Sequence, residues 1–209
     1  RTDYGISHFY EFTIHDEKKH CIKAVPDASI DLLFNIGENK VSTYISGTVF
    51  GVKKWELGTQ DDCFGVRFQP GQGILPKDIT MEMIVNDDIE IDGDIFGKNL
   101  TEKIALAKTM SERIDIFKKA YEDMVLGRNS LSDKEKINEY LVNRISRTKG
   151  MITMRQLEDE TNYSACYLRR IFKSFHGISP KQFAQYIRFQ NLLMQADKEG
   201  VRYEQVALD

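Results

Sequence analysis

The hydrophobic period of this chain changes once, near residue 99, and that change divides what the chain can fold into. Before it, apolar and polar residues alternate in short runs. After it, apolar residues recur every three to four positions. The runs FYEFTI (9–14), SIDLLFNI (29–36), KVSTYISGTVF (40–50), CFGVRFQP (63–70) and MEMIVNDDIEI (81–91) are rich in β-branched and aromatic residues and predict strands. Turn-forming residues separate them at Pro26-Asp27, Gly37-Glu38-Asn39, Asp61-Asp62 and Pro70-Gly71-Gln72-Gly73. Ile30, Leu32, Phe34 and Ile36 share one strand face, with Asp31, Leu33 and Asn35 on the other. Phe64, Val66 and Phe68 likewise oppose Gly65, Arg67 and Gln69. Many short strands with frequent turns predict an antiparallel barrel or sandwich.

Helical spacing follows at 100–108 and at 111–125, where Ile114, Phe117 and Tyr121 share a face and Ser111 could start the helix. That face can serve dimerisation or dock on the barrel. Small polar residues at 127–130 predict a boundary at about 126–132. Beyond it lie helices at 133–147, 154–160, 165–175 and 180–196. Ser132, Thr153, Ser164 and Ser179-Pro180 supply their start signals. The expected fold class is α+β: an antiparallel barrel over 1–98, helices over 99–131, and an all-α domain over 132–209.

Charge follows the same division. Residues 1–128 carry 16 basic and 22 acidic residues, whereas 129–209 carry 13 and 10. Within 140–195 the balance is 9 basic against 3 acidic, which points to a polyanion partner for the second part only. With 41% hydrophobic and 29% charged residues the chain is ordinary globular material. No apolar run approaches the roughly 20 residues of a membrane span, and no signal-peptide core is visible. Three scattered cysteines (Cys21, Cys63, Cys166) form no CxxC pair and suit a reducing, cytoplasmic compartment. His8, His15, His20 and His176 show no HxH spacing, so no metal site or cofactor is expected. No nucleophile motif is present, so no catalytic residues are expected.

The most informative segment is TMRQLEDETNYSACYLRRIFKSFHG, residues 153–177. A short helix ends near Thr161, Asn162 can adopt a left-handed conformation, and Ser164 can cap a second helix. Two short helices joined by a tight turn make a helix-turn-helix. On the second helix Leu168, Ile171, Phe172 and Phe175 form an apolar stripe. Cys166, Arg169, Arg170 and Lys173 repeat the same spacing on another face. A helix about 10–12 Å across fits the major groove, about 12 Å wide, where arginine can bond guanine O6 and N7. Lys173, near the far end, is placed for phosphate.

These residues resemble the AraC-type DNA-binding domain. The likeness rests on Tyr163-Ser164, Leu168-Arg169-Arg170-Ile171-Phe172-Lys173, Gly177-Ile178-Ser179-Pro180 and Arg188. It implies two helix-turn-helix units joined by one long helix, here about 180–196, with 165–175 as the first recognition helix. DNA contacts are then expected from Ser164, Ala165, Cys166, Arg169, Arg170 and Lys173. The segment departs from the family pattern at Glu158 (usually Ala), Thr161 (usually apolar) and Asn162 (usually Gly). VRYEQVALD (201–209) resembles the start of a second unit, which implies a cut second unit and weak DNA binding by the chain as written, since one unit offers few phosphate and base contacts.

VPDASIDLLFNIG (25–37) and FGVRFQPGQG (64–73) resemble the cupin-like sensory domain of a subset of AraC-type regulators. That implies a barrel receiving a signal. Trp55, Tyr44, Phe50, Phe64 and Phe68 could line a ligand cavity or form simple core. Asp31 and Arg67 interrupt apolar strands; both are expected to point to solvent, and if instead both point inward they must pair or bind a charged ligand. Asp31, Trp55 and Arg67 are therefore the candidate ligand residues. The expected protein is a non-enzymatic, cytoplasmic bacterial transcription regulator. Its expected partners are double-stranded DNA, a small-molecule effector and a second copy of itself, with no membrane. A protein-interaction module built on the barrel is the alternative, and a cupin-type enzyme stands third.

Overall fold

The computed structural model describes residues 4–13, 21–38, 40–56, 62–73, 75–76, 78–127 and 131–198, with backbone alone at 21–24, 53–56 and 197–198. His15, His20, linker positions 128–130 and the segment 201–209 lie outside the described residues, as do the side chains of Cys21 and Trp55. The chain forms two compact units, Arg1–Ser130 and Leu131–Asp209.

Seven strands are described in the first unit: β1 (Ile6–Thr13), β2 (Cys21–Ala24), β3 (Asp31–Ile36), β4 (Val41–Ser46), β5 (Lys53–Glu56), β6 (Asp62–Phe68) and β7 (Asp88–Ile91). Five form an antiparallel sheet in the order β1-β6-β3-β4-β7, and β2 pairs with β5 separately. The expected closed barrel is thus not what the described strands build. They make an open sheet with β1 and β7 at its edges.

Alternation sets the faces. Leu32, Phe34, Phe64, Val66 and Phe68 are fully buried on one side. Against them pack α2 (Leu100–Leu106) and α3 (Met110–Leu126). Phe117 and Tyr121 of α3 sit among Phe34, Phe68 and Phe96, with ring centroids 5.2–6.5 Å apart. Arg113 of α3 adds an ion pair to Glu11 of β1. The apolar face of α3 is thereby spent within its own unit and is not free for a second copy.

Two sequence expectations need correction. Residues 81–91 are not one strand: α1 (Met81–Ile84) precedes β7, because Met81 and Ile84, three apart, both reach the core. Helix α3 starts earlier than Ser111. Thr109 is its cap, in a reciprocal capping box with Glu112.

Among the described residues the second unit has four helices, α4 (Asp133–Arg147), α5 (Met154–Thr161), α6 (Ala165–His176) and α7 (Pro180–Lys198). Ser132, Thr153 and Ser179 each accept a backbone N–H three residues on. Glu135, Gln156 and Gln182 bond back to the cap. Leu141, Val142, Ile145, Leu157, Leu168, Ile171, Phe172, Phe183 and Ile187 make the core. Gly150, left-handed at φ +74°, turns the chain where a Cβ would lie 2.3 Å from the Ala184 carbonyl oxygen. Arg188 of α7 donates to the Gly150 carbonyl and closes that corner.

Candidate nucleic-acid interface

Three residues separate α5 from α6. Asn162 ends α5 in the left-handed region (φ 57°, ψ 20°), the conformation its sequence position called for. Thr161 donates to the Leu157 carbonyl at 2.7 Å and accepts from the Tyr163 N–H. Ser164 caps α6 by accepting from the Tyr167 N–H at 3.4 Å.

Helix α6 has the sharp division the sequence predicts. Leu168, Ile171 and Phe172 are buried; Phe175 is only half-buried. Cys166, Arg169, Arg170 and Lys173 are exposed along one side, Ser164 is exposed at the start, and Ala165 is half-buried. The guanidinium of Arg170 lies 5.5 Å from the Tyr167 ring, itself packed on Tyr163 with centroids 5.1 Å apart. The result is a cationic face, spanning about 6 Å of helix axis from Arg169 to Lys173, on a helix anchored from behind.

The anchoring includes contacts that sequence reasoning missed. Residues 158–160 of α5 are Glu-Asp-Glu, three acids at the helix end where the backbone dipole is negative. Two are tied off by neighbouring helices. Glu160 accepts from the Arg144 guanidinium through both oxygens and from the Tyr140 hydroxyl at 2.7 Å. Those bonds hold its carboxyl down at about 2. Glu158 accepts from the backbone N–H of Ala165, the first residue of α6, at 2.6 Å. The acid run at the end of an otherwise favourable helix was the available signal. At the end of α6, His176 packs at a tilt against Phe172 and stacks on Phe183, and its Nε2–H donates to Asn138 of α4 at 2.8 Å. Burial pushes its imidazole down to about 4.

In the first unit Asp31 and Arg67 do not point to solvent. They are directly opposed across β3 and β6 and are bonded at 2.7 Å, with side chains 22% and 30% exposed. Arg67 also pairs with Asp27, which the sequence reading treated only as a turn residue. Asp27 is held by an Asx turn: its Oδ1 accepts from the Ser29 N–H at 2.9 Å. Between them Ala28 is left-handed (φ 62°), a conformation costing an L residue about 1–2 kcal/mol. Its N–H donates to Thr48 Oγ1 at 3.0 Å. The Tyr10 hydroxyl donates to Asp31 at 3.3 Å. Burial pushes the Asp31 carboxyl up to about 7, with the Tyr10 bond pulling the other way. Burial also raises Tyr10 and lowers Arg67. His8 is lowered by burial and by the nearby Arg67 charge.

Of the aromatic residues that could line a cavity or form simple core, those with described side chains are dispersed. Phe64 and Phe68 belong to the core under α3, Phe50 is more than half exposed, and Tyr44 is half-buried. An open groove of about 520 Å³ beside β4, β7 and α2 is lined by Thr43, Glu90, Asp92, Thr101 and Leu106 among others, and by none of those aromatic residues. Among the described residues no group of three or more His, Cys, Asp or Glu is placed to hold a metal, and no helix is long and apolar enough to cross a membrane.

Residues 4–90 match the model of a domain family described as a domain of unknown function (DUF6597). No curated protein matches the chain significantly. Among solved structures, ToxT from Vibrio cholerae O395 aligns over 88% of this chain and 98% of its own, at 9% identity and a TM-score of 0.29. ToxT bound to (E)-4-(8-methylnaphthalen-1-yl)but-3-enoic acid aligns over 88% and 99%, at 10% identity and a TM-score of 0.26. At such scores the likeness is loose and does not establish a shared fold.

Proposed function

We propose that this chain is a sequence-specific DNA-binding transcription regulator that reads the major groove with α6 as the recognition helix of a helix-turn-helix. One observation carries the reading. Cys166, Arg169, Arg170 and Lys173 form an exposed ladder at helical spacing, while the opposite side of the same helix is locked into the core. Arg169 and Arg170 are the base-reading residues, and Lys173 meets phosphate. The resemblance of 163–188 to the AraC-type domain supports the same assignment. In this reading the protein is not an enzyme, works in the cytoplasm, and receives its signal at the first unit, where Asp31 and Arg67 are the ligand candidates. A signal controls DNA binding only if it prefers one of the arrangements that differ in DNA affinity.

The test is selection of bound fragments from the source genome, with an Arg169→Ala/Arg170→Ala variant alongside. The reading expects enrichment of one sequence motif that the variant loses. No enrichment, or a motif the variant keeps, would overturn the recognition-helix assignment.

A further inference from the structure

We infer that Glu158 is a specificity-determining residue: an internal anion seated on the first backbone amide of α6, where a DNA phosphate would otherwise bind. The inference rests on the reading of α6 as a recognition helix. It begins with a local anomaly. An acid in the last turn of α5 faces the negative end of its own helix dipole, so in isolation it is misplaced. The fold relieves this by laying its carboxylate against the positive end of the next helix, with the Ala165 N–H donating to Oε1 at 2.6 Å. That is the short distance of a charge-assisted bond.

Two consequences follow for DNA. The first is geometric. Ala165 lies seven positions after Glu158, and their bond closes the turn. It fixes the angle at which α6 presents Arg169, Arg170 and Lys173. The second is electrostatic. A helix N-terminus is a ready anion site, because its free amides and its dipole both favour negative charge. In α6 the Ala165 amide is taken by Glu158 and the Tyr167 amide by Ser164. A phosphate approaching that end meets a carboxylate and loses one amide. Sequence-independent attraction to the backbone is therefore reduced, while the arginine side of the helix is untouched. Discrimination between sequences rises at the expense of bulk affinity.

The experiment separates charge from geometry. Glu158→Gln keeps an oxygen that can accept from the Ala165 N–H and removes the charge. Glu158→Ala removes both. Affinities for a selected duplex and for a scrambled one are measured across a salt series for the wild type, both variants and Arg169→Ala/Arg170→Ala. The chemical shift of the Ala165 amide proton reports the bond directly. Glu158→Gln should keep that shift near the wild-type value. It should strengthen scrambled-duplex binding about two- to five-fold, the effect of one charge at a helix end. It should steepen the salt dependence by up to about one counterion and lower the ratio of selected to scrambled affinity. Glu158→Ala should move the amide shift and weaken binding to the selected duplex. Unchanged affinity and salt slope in Glu158→Gln, with the amide shift retained, would overturn this inference and leave the recognition helix standing. Failure of the wild type to bind any duplex, or binding unaffected by loss of both arginines, would overturn the DNA reading and this inference with it.

Discussion

The ring of Tyr10 on β1 lies over the backbone of Gly65 on β6, so close that a Cβ at residue 65 would fall 2.1 Å from Tyr10 Cζ. The glycine is the space the ring needs to carry its hydroxyl to Asp31. Gly65→Ala should therefore push the ring off Asp31 and cost about 1–3 kcal/mol, as overpacking does. Removing the ring should relieve the clash, so Tyr10→Ala and Gly65→Ala should be strongly non-additive in a denaturant double-mutant cycle. Additive losses would show that the ring can move aside without consequence.

Asp27 and Asp31 share one guanidinium, so loss of Arg67 takes that cation from one buried and one half-buried carboxylate. Arg67→Ala should cost about 2 kcal/mol, between the values for exposed and buried pairs. The penalty should depend on pH. The Asp31 carboxyl is raised in the fold to about 7, above its unfolded value. Between about pH 4 and 7 the native state therefore binds more protons, and this group's contribution falls as pH rises. The Arg67→Ala penalty should be smaller at pH 5 than at pH 8, and Arg67→Ala/Asp31→Asn should lose most of that difference. Equal penalties at the two pH values would show that Asp31 is ionised throughout. A folded Arg67→Ala variant with an unchanged effector response would remove Arg67 from any ligand site.

His176 gives the second unit the opposite pH dependence. Its folded value, about 4, is depressed below the unfolded one, so the unfolded chain binds more protons between about pH 6.5 and 4. Stability should be full above that window and fall by up to about 3 kcal/mol as pH drops through it. His176→Phe, which keeps an aromatic ring beside Phe172 and Phe183, should flatten the profile. An imidazole titrating near 6.5 by NMR in the folded protein would contradict the buried, neutral assignment.

Gly150 combines a left-handed backbone with a contact that leaves no room for a side chain. Gly150→Ala should destabilise the second unit by about 3 kcal/mol, from the conformational cost together with displacement of α7. A melting temperature unchanged in Gly150→Ala would mean that α7 shifts freely.

The sequence alone determined the helical half almost residue by residue. Ser132, Thr153, Ser164, Asn162 and Pro180 act on backbone groups within four positions, so their effect needs no partner from elsewhere in the chain. The stripe at Leu168, Ile171 and Phe172 is equally local, since helical spacing alone puts those residues on one side. In the sheet half, alternation named the faces of β3 and β6, because side-chain direction also follows from the strand itself. Only the tertiary structure decided the rest. The span 81–91 became a helical turn and a strand because two of its residues reach a core assembled from distant segments. Strand order, the open sheet and the burial of α3's apolar face depend on pairings that local sequence does not encode. The charged contacts that matter most join residues far apart: Asp31 to Arg67 across strands, Glu160 to Arg144 across helices. Asp31 and Arg67 were visible as misfits in their own strands. What each answered to could be fixed only when the chain folded back and placed the opposite charge within bonding distance.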